Sequence, residues 1–335
     1  MHTGSASGVL QSDQAAVTPS TIVSMSGTSA EPVSSFHDAR QVQGCLRFHR
    51  NNGAIGLALP GARWHFQHGP IDLIIGLDGE VAVVEHAIDA IWQHFAGMLE
   101  ALVAELPLLK RPVQEARAVQ GDTARAMVAA CLPHSAEFIT PMAAVAGAVA
   151  DTLIGRIEGI AGIRRSYINN GGDIALYLTP GTQYTVGLFS DLGRLTRGER
   201  PRLDGDMQIG YASPIRGVAT SGWRGRSFSL GIADSVTVLA ASSAQADAAA
   251  TMIGNAVDID DPVVRRCPAN ALKDDTDLGG RLVTVAVGGL TPRAIETALA
   301  AGMKYAQALR DAGQIIAAVL CLQGQMRIVA AEAEI

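Results

Sequence analysis

The sequence predicts an α+β fold, with mixed or antiparallel sheets and packed helices. Strand-like apolar runs follow one another instead of alternating with crossover helices, which argues against a parallel doubly wound sheet. Several other segments carry helical periodicity and are rich in alanine. A strand, a loop and an Ala-rich helix occur in that order before Ile157 and again around Asp247, a faint internal echo of a duplicated unit.

Residues 1–35 are rich in Ser, Thr, Gly and Ala without apolar periodicity and read as a disordered extension; residues 36–335 read as a single domain. Strands are expected at 43–46, 63–67 and 72–77, the last followed by a turn at Asp78-Gly79. A long helix is expected over 81–106, because Ile88, Ile91, Trp92, Phe95, Leu99, Leu102 and Val103 recur at helical spacing and Pro107 closes it. Further helices are expected at 122–132 and 141–157, Pro141 suiting a first turn. The small residues of the latter let another backbone, or a flat ligand, come close. Strands then dominate: 166–168, 174–178, 184–189, 215–219 and, in pieces, 227–239. A helix at 244–257, a strand at 281–287, a helix at 292–312 capped by Thr291 and Pro292, and strands at 317–323 and 326–330 complete the chain.

The 335 residues are 48% apolar and 17% charged, enough for a sizeable core. Aromatics are only 4% against 36 glycines, so packing must come from Ala, Val, Ile, Leu and Gly. A formal net charge of -6 argues against a nucleic-acid partner, which usually requires a basic face. Cys45, Cys131, Cys267 and Cys321 are far apart, which excludes a zinc knuckle or disulfide framework and suits free thiols in a reducing cytoplasm. No secretory signal or lipid-anchor cysteine is visible near the start. The apolar run from Met142 is cut at Asp151, too short for a membrane span. The expectation is a cytoplasmic protein with a small-molecule ligand, no membrane partner, and a homodimer by default.

Four segments can carry chemistry. In Asn169-Asn170-Gly171-Gly172-Asp173 the glycines let backbone meet a ligand and Asp173 can accept hydrogen bonds; the same residues also suit a plain hairpin turn. Thr220-Ser221-Gly222 offers hydroxyls and N–H groups to phosphate oxygens, with Arg224 and Arg226 adding charge; the alternative is a solvated loop. Asp247 and Thr251 lie one helical turn apart, half of a magnesium site, or else a helix-terminal carboxylate and a back-bonded threonine. Asp234 is a candidate base or a turn cap. All eight histidines precede residue 135, so a histidine base would have to be His65, His68 or His134.

Taken in order, these segments resemble the ApbE superfamily, whose best-known members are FAD:protein FMN transferases, and most of all an uncharacterised bacterial and archaeal branch of it. The resemblance rests on Thr140 to Ala150, Asn169 to Ile174, Gly217 to Ser221, Ala233 to Val238 and Ala246 to Thr251. It implies an ApbE-type, T-fold-like architecture. It also implies Mg²⁺ on Asp247 and Thr251, with a carbonyl from the helix after Pro141, and FAD near Met142, Asn169, Gly171, Gly172, Asp173, Thr220, Ser221 and Gly222. Arg226 stands in the neighbourhood where the related branch places a histidine, and a guanidinium cannot accept a proton at neutral pH. Asp234 and Arg226 are therefore the candidate catalytic residues. Three readings stay open: Mg²⁺-dependent FMN transfer, a non-catalytic flavin or small-molecule binding module, and altered chemistry on a small acid in the same cleft.

Overall fold

The computed structural model describes residues 49–51, 53–188 and 205–330. The expected extension at 1–35 and strand at 43–46 lie outside them. β1 (His49–Asn51), β2 (Ala54–Leu59), β3 (Arg63–His68) and β4 (Ile71–Gly79) form an antiparallel meander. Ile71, Leu73, Ile75 and Leu77 of β4 are buried, the period-two pattern of a strand with a core face. Helices α1 (Val81–Phe95), α2 (Met98–Leu109), α3 (Asp122–Cys131) and α4 (Val145–Ile154) precede β5 (Ile163–Asn170) and β6 (Asp173–Leu178). β7 (Gln183–Leu188) and β8 (Gly205–Gly210) pair apart from the main sheet. The second half runs β9 (Gly217–Ser221), β10 (Ser235–Ala240), α5 (Ser243–Ala256), β11 (Val264–Pro268), α6 (Ala269–Leu272), β12 (Leu282–Val287), α7 (Pro292–Asp311), β13 (Ala317–Leu322) and β14 (Gln325–Val329).

Among the described residues ten strands form one sheet in the order β1-β2-β3-β4-β5-β6-β9-β10-β13-β14, with every neighbour antiparallel. The α+β expectation is met, and the sheets are antiparallel rather than mixed. The internal echo has a counterpart in the sheet: β3-β4, helices, β5-β6, then β9-β10, helices with the separate β11–β12 pair, β13-β14, in the same sheet order. The units meet at β6 and β9, where Ile174 opposes Val218 and Ala175 opposes Gly217.

α5 is buried almost all round because it is shared. Ala244, Ala248 and Met252 join the core of the first unit, and Ala246, Ala249, Ala250 and Ile253 join that of the second. A third cluster lies on the other face of the sheet, where Ile174, Leu176 and Val218 meet Val186 and Ile209 of the β7–β8 hairpin.

Beyond the unexpected strands β2, β8 and β11 and the start of the 141–157 segment, which is a 3-10 turn at Pro141–Ala144, the structure differs from the sequence expectation at the first long helix and at 227–234. The helix expected over 81–106 is two helices, broken at Ala96-Gly97, and Pro107 lies inside the second. Gly97 weakens the helix at the break, and Pro107 cannot donate an N–H to the Val103 carbonyl, so the helix ends within three residues of it. Val103, expected in the core stripe, is 55% exposed. Residues 227–234 form no strand: Leu230 N–H donates to Asn255 Oδ1 (3.0 Å) and Ile232 N–H to the Val257 carbonyl (2.8 Å), which pins them as a loop to the end of α5.

Candidate functional site

β5 and β6 are joined by a two-residue turn, Gly171-Gly172, at φ +67° and +117°. Such values suit glycine and make the tight hairpin that Asn-Gly signals. Gly172 N–H donates to Asn169 Oδ1 at 2.8 Å, fixing the turn. The bare face of Gly171 is covered by Arg226: a β-carbon there would fall 1.4 Å from Arg226 Nη2. Asn170 Nδ2 donates to the Ala146 carbonyl at 3.1 Å and ties the hairpin to the start of α4.

Asp173 opens β6 and reaches across to β9, where its Oδ1 accepts the Thr220 N–H at 3.3 Å. Thr220 and Thr237, register partners on β9 and β10, bring their hydroxyls to 2.9 Å. Burial pushes the Asp173 carboxyl up to about 7, opposed by the Thr220 N–H and the Arg226 charge.

Asp247 Oδ2 accepts the Gly147 N–H at 3.0 Å, and the Ala146 N–H also serves this carboxylate. Both donors belong to the first turn of α4, where no intrahelical partner exists. Burial first, then the nearby charge of Asp173, push Asp247 well above the usual carboxylate range, while the two N–H groups oppose. α4 returns the contact: Asp151 Oδ1 accepts Ser243 N–H (2.9 Å) and Oδ2 accepts Ala244 N–H (2.8 Å). Each helix thus supplies the carboxylate that caps the other. Gly147 makes this possible, since a β-carbon there would lie 2.4 Å from the Ser243 carbonyl oxygen.

Asp173, Asp247, Thr220, Arg226 and the glycine turn thus converge on the start of α4. Thr251 lies one turn beyond Asp247 and is half-buried. Ser221 follows Thr220, its Oγ 4.0 Å from where a β-carbon on Gly254 would lie. Gly222 packs its backbone against Asp234, and Met142 sits half-buried on the 3-10 turn Pro141–Ala144 that leads into α4. The Asp234 side chain is turned elsewhere. Its Oδ1 accepts Trp223 Nε1–H (3.1 Å) beside Arg224 (3.7 Å), and its Oδ2 accepts the Gln323 N–H (2.6 Å). Of the histidines, His65 pairs with Asp72 (2.7 Å) and His68 lies beside Glu100 (3.6 Å). His134 Nδ1 lies 3.2 Å from the Tyr305 hydroxyl, and burial pulls this imidazole down to about 4.

Sequence reasoning missed the reciprocal caps and the Asn170–Ala146 tether. Asp151 gave one signal: it is the only charge in an otherwise apolar helix, and it registered only as the end of a hydrophobic run.

Among the described residues no three His, Cys, Asp or Glu side chains cluster as a metal cage. A cation here would need hydroxyl, backbone or ligand oxygens beside the carboxylates. The donor set fits a hard ion, since the Asp247 carboxylate, its proton affinity raised by the charge of Asp173, and the Thr251 hydroxyl are oxygen ligands.

An antiparallel α+β fold with a glycine hairpin, a hydroxyl strand and paired helix-capping carboxylates defines the class. The family model described as AbpE bacteria matches residues 57–328, and the chain belongs to that family. It is 38% identical over 171 residues to the UPF0280 protein of Methanothermobacter thermautotrophicus, covering 48% of this chain and 61% of that one. It is 33% identical over 193 residues to the UPF0280 protein of Methanopyrus kandleri, covering 56% and 71%. The chain spans half to about three-fifths of the length of several such relatives. Among solved structures, the apo flavinyl transferase ApbE of Pseudomonas stutzeri is similar at 12% identity and TM-score 0.35, over 84% of this chain and 94% of that one. A flavin transferase ApbE variant from Vibrio cholerae is similar at 16% identity and TM-score 0.29, over 77% and 76%. No helix among the described residues is long and apolar enough to cross a membrane.

Proposed function

We propose that the protein binds a flavin nucleotide, or a similar anionic small molecule, together with Mg²⁺ where the Gly171-Gly172 hairpin, Thr220–Gly222 and the start of α4 meet. The supporting observation is the meeting of Asp173 and Asp247 at one helix terminus with Arg226 above the glycine turn. Asp247 and Thr251 would hold the ion, and Arg226 and the Thr220–Gly222 hydroxyl and amide groups would hold phosphate. Bound there, Mg²⁺ would neutralise pyrophosphate charge and polarise phosphorus toward attack.

The finer reading is FMN transfer from FAD to a protein Ser or Thr. The hydroxyl oxygen forms a bond to the FMN phosphorus, the phosphorus–oxygen bond to AMP breaks, and AMP leaves with its charge. The hydroxyl proton needs an acceptor that Arg226 cannot be. Asp173, held near neutrality by burial, can take it. Asp234, with both oxygens engaged, serves as a brace between the 222–224 loop and Gln323.

The test is incubation with FAD, Mg²⁺ and a Ser/Thr-containing acceptor, read as covalent flavin fluorescence beside a binding titration. The expected result is Mg²⁺-dependent FAD binding that Asp247→Ala weakens at least about tenfold, the cost of losing a charged contact. Asp173→Asn would keep binding and lose transfer. FAD binding indifferent to both Mg²⁺ and Asp247→Ala would overturn the proposal. Retained ligand without turnover would favour the non-catalytic module, which the arginine at 226 supports.

A further inference from the structure

A cleft of about 650 Å³ opens at the end of β6 opposite Asp173, within the range of small-molecule sites. None of Asp173, Ser221, Arg226, Asp247 and Thr251 lines it. Its lining includes alanines from α3 and the start of α5, with Tyr177 and Tyr211. Charges of both signs face the same space. Asp151, in the lining, holds the first two N–H groups of α5, and Glu158 stands exposed beside it. Arg216 supplies the opposite sign and is fixed. Its Nη1 donates to the carbonyls of Ser213 (2.6 Å) and Ile215 (2.7 Å), its Nη2 to that of Tyr211 (2.9 Å). A guanidinium has five N–H groups, so this anchoring leaves donors for a ligand.

The charge pattern selects the ligand. A simple anion on Arg216 would face Glu158 and Asp151, and a simple cation on Glu158 would face Arg216. A molecule with both signs satisfies both ends through charge-assisted hydrogen bonds, while its body covers the alanines. We infer that this cleft binds a small zwitterion of amino-acid to dipeptide size, its ammonium group on Glu158 and its carboxylate on Arg216. This site is independent of the proposed nucleotide site.

Calorimetric titration of the full chain with glycine, L-leucine, L-phenylalanine and L-alanyl-L-alanine tests it, with ethylamine and propionate as the two halves. At least one zwitterion is expected to bind saturably, about tenfold or more tighter than either half. Glu158→Gln and Arg216→Met should each weaken it about tenfold. Ala129→Phe, at an exposed position of α3, should abolish it by filling the cleft. If Arg216→Met fails to fold, because the guanidinium also holds three carbonyls, the two exposed variants decide. Zwitterions that bind no tighter than their halves, or an affinity unmoved by Glu158→Gln and Ala129→Phe, would overturn the assignment.

Discussion

Asp173 shows how one side chain acquires a property its sequence neighbours do not specify. In the unfolded chain its carboxyl titrates near 3.9; in the fold it holds its proton to about 7. Between those values the native state binds more protons than the unfolded state, so this group's contribution to stability falls as pH rises through the window. Asp151 and Asp247 are shifted in the same direction, each mainly by burial. The lowered His134 imidazole acts in the opposite direction between about pH 4 and 6.5, so the parent and the variant are compared: in thermal melts of the metal-free protein, Asp173→Asn should remove a component of stability that falls from pH 5 to pH 8. An Asp173→Asn variant with the same slope as the parent would refute this account. The Arg226–Gly171 contact belongs to the same scale: sequence spacing separates these residues by more than fifty positions, and only the bare hairpin lets them meet.

At the scale of elements, the α4–α5 pair is the device on which the grouping of Asp173, Asp247 and Arg226 depends. Its two helices approach backbone to backbone at Gly147 and Ser243, and each donates a carboxylate to the other's first turn. Neither carboxylate is an N-cap by sequence position, so the caps exist only when the helices are docked. Gly147→Ala should cost about 1–3 kcal/mol by overpacking, because the clash is with main chain that cannot step aside. Chemical denaturation would show this as a lower midpoint. An unchanged midpoint would mean that the helices are not locked together at this point.

Across the whole molecule, two strand–helix–strand units share one sheet and one helix. The direct strand pairing between them is short, two register pairs at β6 and β9. α5 makes up the difference by placing alternate residues in both cores. The two cores are accordingly expected to unfold together as a single domain. Trp64 and Trp92 report on the first unit and Trp223 on the second. Denaturant transitions of variants that retain only the first pair, or only Trp223, should coincide, and Met252→Ala and Ile253→Ala should lower the same transition although they face different cores. Two separated midpoints would show that the units are autonomous.

The chain itself determined its alphabet of elements. Periodicity marked α1, α3, α5 and α7, the Thr291-Pro292 cap marked the start of α7, and Asn-Gly-Gly marked the β5–β6 turn, because each signal acts within a few residues. Weaker elements escaped. β2, β8 and β11 carry Gly, Ala or charged residues that resemble loops, and their pairing comes from neighbours distant in sequence. The composition of the candidate site was legible from motifs and their order, but its connections were not. That Asp247 serves α4, that Asp151 answers it, that Asp234 is turned toward Gln323 and that Arg226 covers Gly171 are consequences of docking. Burial and through-space charge are properties of the packed chain, and no local pattern encodes them.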